Sequence, residues 1–571
     1  MRPLACSVSV ILGLAFSLPA LAQDTPTTLP GQTPQDIDPA SRTPAVEPAR
    51  IDLGTLAVSA DCPFAGKGEI TLRRIEVAGA TLVPQAAIDA AVADLVGHAA
   101  DAGVLCTARD RVASVYAAHG EALAAVDIPP QDLTPGVLTL RVNEGRVRRV
   151  AIENAEALGP SAALAQAYLD ALVTDGATRW ADVERAFLLI REIPGADVGF
   201  TMRRLDDGSP DGLEIVATAA PRRKFDIGVS AHNLGSEELG PRGLSLRADA
   251  NSFTRLGERT SLVLFSSLGG EQKVAQLLGE VRLGASGWTL LGDIAHGRSE
   301  PGGGLEMLEL EGRSLVTRLG ARNAVARTRA LSLDAGVRLE AIDQDNALGF
   351  LRDSGLGMIP LFEEDLRVLA LDASVRWRRP GRGLAATANL ELRKGLGIWG
   401  ASEAGDPLLS RAQAQPDFVS AKLGLGARWS ARPGAVASPF ISVNGAGQWS
   451  NAPLPAYEEF QVGNYTIGRG FDPGAASGDS AVAGQLEAGW DLRGDVGAAS
   501  VFAFADAAHL WNRDDASEEA TLRSIGLGAR AQTRHGQFGL ALAFPRTGAS
   551  RGSETPDARV LFTYTHTFSI R

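Results

Sequence analysis

Few side chains in this sequence are spaced for bond-making chemistry. Its seven histidines (98, 119, 232, 296, 509, 535 and 566) are scattered, with no H-E-x-x-H pair and no Cys/His cluster that could grip zinc. No G-x-x-x-x-G-K-S/T loop cradles a phosphate, no glycine fingerprint leads a strand–helix unit, and no G-x-S-x-G elbow presents a nucleophile. The paired carboxylates Glu363-Glu364-Asp365 and Asp514-Asp515 read as solvated loop charges rather than as an acid–base couple. No catalytic residue, metal or cofactor is therefore expected, and no nucleotide. The net charge of −12 argues equally against nucleic acid, whose phosphates call for a basic surface.

The cysteines carry the remaining covalent possibility. Arg2, an apolar stretch over 8–18 and the small residues Ala20 and Ala22 before Gln23 read as a secretory signal peptide over 1–22. The stretch has about half the ~20 residues that a spanning helix needs. Cleavage removes Cys6 and leaves Cys62 and Cys106 as the only thiols of an exported chain. An even pair in an oxidising compartment reads as a disulfide, the alternative being two buried apolar fillers.

The elements that would position such residues fall into three zones. Residues 23–61 are rich in Pro, Thr, Asp and Ala without an apolar period, as in a flexible linker. Residues 62–145 then read as strand (70–77), helix (84–96), helix (107–119) and two strands (123–128 and 137–142). Residues 146–220 repeat that order, with a strand at 148–152, helices at 161–172 and 180–190, and strands at 198–203 and 213–217. A unit of about 75 residues present twice indicates two small α+β modules.

From 221 to 571 helical periodicity gives way to alternation. Leu331, Leu333, Ala335, Val337 and Leu339 share one face, and Ser332, Asp334, Gly336, Arg338 and Glu340 share the other. Sixteen such strands begin near 225, 244, 260, 276, 288, 315, 330, 367, 383, 420, 440, 485, 500, 524, 537 and 559. An even number of alternating strands behind a signal peptide fits a membrane β-barrel, apolar towards lipid and polar within. The bacterial outer membrane is then the expected location, with the modules in the periplasm. Small sheets with open edges can take up extended polypeptide by strand addition, so two modules ahead of a barrel suggest capture of an unfolded chain.

Two stretches make a resemblance specific. The first module carries Pro130-Gln131-Asp132-Leu133, then Gly136 and, after an alternating strand, Glu144-Gly145. The barrel carries Ile467-Gly468-Arg469-Gly470-Phe471-Asp472 between its eleventh and twelfth strands, followed by Gly478-Asp479 and Gln485-Leu486-Glu487. The chain resembles the outer-membrane transporters of two-partner secretion, the ShlB/FhaC/HecB hemolysin secretion and activation family of the Omp85 superfamily, whose members join two POTRA modules to a 16-stranded barrel.

The resemblance implies a long sixth extracellular loop, about 452–484 here, folded into the lumen with its R-G-F tip. Arg469, so placed, needs a carboxylate, and Phe504 and Asp506 resemble the family's F-x-D-x-G. Arg469 with Asp506 is the expected latch, alongside Gly470 and Phe471, with Glu487 as a second partner. The sequence departs from the pattern at Gly468, an insertion, and at Ala508, which replaces the last glycine. The implied partner is a large secreted exoprotein, unfolded in transit, and the implied environment is outer-membrane lipid. An assembly factor or insertase of the same superfamily is the alternative, and a nutrient channel a third reading.

Overall fold

The computed structural model describes residues 62–571 except 206, 208, 210, 351, 353–356, 464–466, 495–496, 514–518 and 548–556. The proposed signal segment 1–22, the linker 23–61 and Asp514-Asp515 lie outside the described residues. The first module contains β1 (Glu69–Thr71), β2 (Arg74–Ala78), α1 (Gln85–Val92), β3 (Ala99–Asp101), α2 (Val104–Ala118), β4 (Ala125–Asp127) and β5 (Val137–Asn143). Leu105, Ala108, Val112 and Tyr116 recur three or four residues apart along α2, so one face buries against the sheet while the other stays wet. Gly120 ends that helix at a φ of 79°, a left-handed conformation that only glycine adopts without strain.

One expected strand is divided. Residues 70–77 form not one strand but β1 and β2, because the backbone N–H groups of Arg73 and Arg74 both turn to the carbonyl of Gly136. The freed β1 pairs instead with β3, a strand not expected from the sequence. The second module contains β6 (Arg146–Glu153), α3 (Ala162–Asp170), α4 (Trp180–Arg191), β7 (Asp197–Arg204) and β8 (Gly212–Ala220).

The two modules share one topology. Each three-stranded sheet has its last strand in the middle, parallel to the first and antiparallel to the other, in the orders β2-β5-β4 and β6-β8-β7. Phe187 and Phe200 stack at 3.9 Å between ring centroids inside the second module. That module leans on short turns of the barrel. Arg329 reaches Glu184 at 2.6 Å, Arg327 reaches Glu192 at 2.8 Å, and the Ser252 hydroxyl donates to the Pro194 carbonyl at 2.7 Å.

The barrel strands are β9 (Phe225–His232), β10 (Gly243–Asn251), β11 (Arg259–Ser267), β12 (Gln272–Arg282), β13 (Trp288–Ser299), β14 (Leu310–Arg327), β15 (Leu331–Leu348) and β16 (Ile359–Arg379). They continue as β17 (Leu384–Gly395), β18 (Val419–Ser430) and β19 (Ala437–Ser450). A small ribbon, β20 (Phe460–Val462) with β21 (Ala476–Gly478), interrupts the series, which ends with β22 (Ser480–Gly494), β23 (Gly497–Trp511), β24 (Ala520–Thr533), β25 (Gly536–Pro545) and β26 (Arg559–Ile570). Sixteen of these close into one antiparallel barrel, β26 pairing back onto β9 from Thr563 opposite His232 to Ile570 opposite Phe225.

Period two decides which way each side chain points. Leu371, Leu423, Leu425, Trp429, Phe562 and Phe568 are exposed on the outside, as a wall facing hydrocarbon requires, while Asp334, Glu340 and Glu487 are buried within. The polar lumen is not uniform. Val316, Ile342, Leu366, Val368 and Phe418 form an apolar cluster together with Leu454 and Tyr457 of the long loop. Glu363-Glu364-Asp365 are not loop charges either. They lie on β16, which starts eight residues before its expected position, and Glu364 is 1% exposed beneath a hydrogen bond of 2.8 Å from the Ser410 hydroxyl.

Candidate functional site: the long loop in the barrel lumen

The long loop spans 451–479, since β22 begins at Ser480 rather than near 485. It is the sixth of the longer connections, at the barrel end away from the modules. At its tip Gly468 has a φ of 101°, and a Cβ there would sit 2.7 Å from Val462. The inserted residue is therefore a turn that only glycine makes. Arg469 follows, 9% exposed. Its Nε and Nη2 donate to the two Asp506 oxygens at 3.1 and 2.8 Å, and its backbone N–H adds a third bond to Asp506 at 3.0 Å. Its Nη1 donates to Glu487 at 2.7 Å, and the Phe504 ring lies 3.6 Å beneath the guanidinium.

Both carboxylates foreseen as partners of Arg469 thus hold it together. Gly470 passes so close to the wall that a Cβ would meet Ser524 at 2.8 Å and Pro545 at 3.0 Å. Phe471 is 1% exposed in an apolar cluster that contains Ala508, so the alanine that replaces a glycine supplies a packing methyl. Asp472 bonds Arg559, the first residue of β26, at 2.6 Å.

A second group was missed from the sequence. Arg393, on the lumen face of β17, donates twice to Glu458 of the loop at 2.8 and 2.6 Å, and also to Glu340 and Glu391. Tyr457 beside it is 2% exposed. Asp479 accepts from the Leu454 N–H, from Arg411 and from the Arg513 N–H at 2.7, 2.6 and 2.7 Å. The one available signal was Glu391 and Arg393 at alternate positions of a strand whose Leu390 and Leu392 face out. Their loop partner had no period to reveal it. Beneath the loop lies a cavity of about 450 Å³, lined by Tyr457 and by both signs of charge, including Arg247, Arg259, Glu280 and Asp293.

The first-module motif has a different role. The Gln131 amide bridges the Thr139 N–H and C=O at 2.7 and 2.8 Å, standing in for a missing strand, while Asp132 accepts from the Thr134 N–H at 2.9 Å. Leu133 packs on the module core and Pro130 stays exposed. Gly136 and Gly145 adopt φ of 73° and 78°.

Glu144, 6% exposed, accepts from the N–H groups of Thr81 and Leu82 at 2.6 and 2.7 Å and from the Tyr116 hydroxyl at 2.7 Å. Burial alone would raise its pKa, but these donors outweigh burial and hold it below the ordinary carboxylate value. Burial and the neighbouring carboxylate push Tyr116 up. Cys62 and Cys106 form a disulfide with a Cα–Cα distance of 5.8 Å.

Residues 211–531 match the haemolysin secretion/activation protein family ShlB/FhaC/HecB, and residues 70–145 match the ShlB-type POTRA domain. The chain belongs to the ShlB/FhaC/HecB family. It is an outer-membrane transporter of two-partner secretion, with its modules in the periplasm and a secreted exoprotein as partner. CdiB from Escherichia coli shares its fold with a TM-score of 0.72 at 18% identity, over 90% of this chain and 94% of that one. CdiB from Acinetobacter baumannii does so with a TM-score of 0.64 at 14% identity, over the whole of both chains. A search of curated proteins finds no match to the sequence.

Proposed function

We propose that this transporter takes up an unfolded exoprotein by strand addition to its POTRA modules, which we place at 62–145 and 146–220, and passes it through the 221–571 barrel past the long loop. A hemolysin- or adhesin-like passenger suits this reading, with folding outside the cell supplying direction in place of nucleotide hydrolysis. The latch of Arg469, Gly470 and Phe471 on Asp506 and Glu487 sets the loop's position. Residues 1–22 act as the cleaved signal and 23–61 as the linker to the first module.

The observation that carries the reading is the closed lumen, crossed by a loop with a buried arginine held by two carboxylates. Open edges on β6 and β7, each eight residues long, support capture of extended chain. The apolar outer wall supports lipid as its surroundings. Deleting the gene and comparing proteins in the medium tests the reading. One large exoprotein should vanish while other outer-membrane proteins keep their levels. Loss of many outer-membrane proteins with the medium unchanged would instead favour an assembly factor.

A further inference from the structure

Two of the loop's fastenings have opposite polarity. At its tip the loop supplies the cation, Arg469, and the wall supplies Asp506 and Glu487. On its first arm the loop supplies the carboxylate, Glu458, and the wall supplies Arg393 on β17 and Lys422 on β18. The attachments lie far apart around the ring. Arg393, which holds Glu458, is on β17, the ninth strand, and Arg559, which holds Asp472, is on β26, the sixteenth. The loop is therefore a chord across the lumen.

The two fastenings differ in what release would leave behind. If Glu458 departs, Arg393 keeps Glu340 and Glu391, Arg338 pairs with both of those carboxylates and with Asp372, and Lys422, which loses Glu458, is 30% exposed. No buried charge outside the arm is stranded, since Arg411, which loses Glu459, keeps Asp479. If Arg469 departs, Asp506 at 3% exposure loses three of its hydrogen bonds and, among the described residues, keeps a long one of 3.4 Å from the Ser524 hydroxyl. A buried carboxylate so deprived is costly. What else resists departure of the first arm is the ion pair of Glu459 with Arg411, the hydrogen bonds that tie Leu454 to Arg411 and Asp479, and the burial of Leu454 and Tyr457 against the apolar lumen cluster, which together keep the resting chord in place.

We propose that the loop opens as a swinging strap: the first arm, 452–459, lets go of Arg393 while the tip stays latched as the pivot. Arg393 is then a positioning residue that sets how often the lumen is clear. This rests on the chain being a pore, and it adds which end of the loop moves.

The test is ionic current through the purified full-length protein in planar lipid bilayers. Glu458→Gln removes the charge that meets Arg393 but leaves the wall cluster intact, so the barrel keeps its fold. Open probability should rise about tenfold over the parental protein. In a Lys422→Cys/Glu458→Cys pair a short thiol-to-thiol cross-linker should cut open probability to the parental level or below, because the arm can no longer leave; Cys62 and Cys106 are already bonded to each other and do not compete for the reagent. Parental open probability in Glu458→Gln, or a cross-linked pair that gates like the unlinked one, would overturn the strap. Secretion is absent from this readout. A protein that conducts and responds as expected but exports nothing would contradict the proposed function alone.

Discussion

Glu144 in the first module and Asp506 in the barrel are both carboxylates with less than a tenth of their surface exposed, at 6% and 3%. Their partners differ in kind. Glu144 is held by two backbone N–H groups and two hydroxyls that belong to its own module, so it can be freed only by unfolding that module. Asp506 is held chiefly by a single arginine on a loop with no other duty in the wall. Neutral donors built into a fold make a staple; a charged donor on a separate segment makes a latch. The strength of such an ion pair suits a tip that must hold its place while the rest of its segment moves.

Ways to break this contrast run from large effects to small. Replacing Cys62 and Cys106 together by serine should cost the first module about 4 kcal/mol in the chain-entropy picture, seen as a lower midpoint in denaturant while the barrel stays inserted. Glu144→Ala should cost about 3 kcal/mol, because it strands buried N–H and hydroxyl donors, and protease should then nick the first module before any other described part. Gln131→Ala should cost about 1 kcal/mol, the worth of the amide that bridges Thr139, with no change in bilayer current.

The smallest effect is one of pH. The folded pKa of Glu144 lies below its ordinary value of 4.5, so its contribution is fully present above that value and is lost as pH falls through the lower folded one. Acid unfolding of the first module followed in the parental protein and in Glu144→Gln should show the pH slope flattened in the variant. Equal slopes would mean that Glu144 is not the staple described here.

Much of this arrangement was legible because strands leave a strict period. The sixteen expected strand starts fall within eight residues of those observed, and the alternation that set Phe504 and Asp506 on one face also set both in the lumen. The partnership of Arg469 was readable since a motif marked the loop and alternation marked the wall. Arg393 and Glu458 escaped because they lie 65 residues apart and only one of them sits on a periodic element. The division of the first strand escaped for a like reason: the Gly136 carbonyl that causes it is more than 60 positions away in sequence. Glu364 was misread because β16 runs past the expected strand start, and nothing local distinguishes a carboxylate beneath a loop from one in it.

The most direct test of the latch is secretion by cells that carry Arg469→Ala or Asp506→Ala in place of the parental gene. The readouts are the exoprotein in the medium and the amount of folded barrel in the outer membrane. The latch predicts that the exoprotein is lost from the medium in both variants while the barrel is inserted at the parental level. Parental secretion in both variants would contradict it.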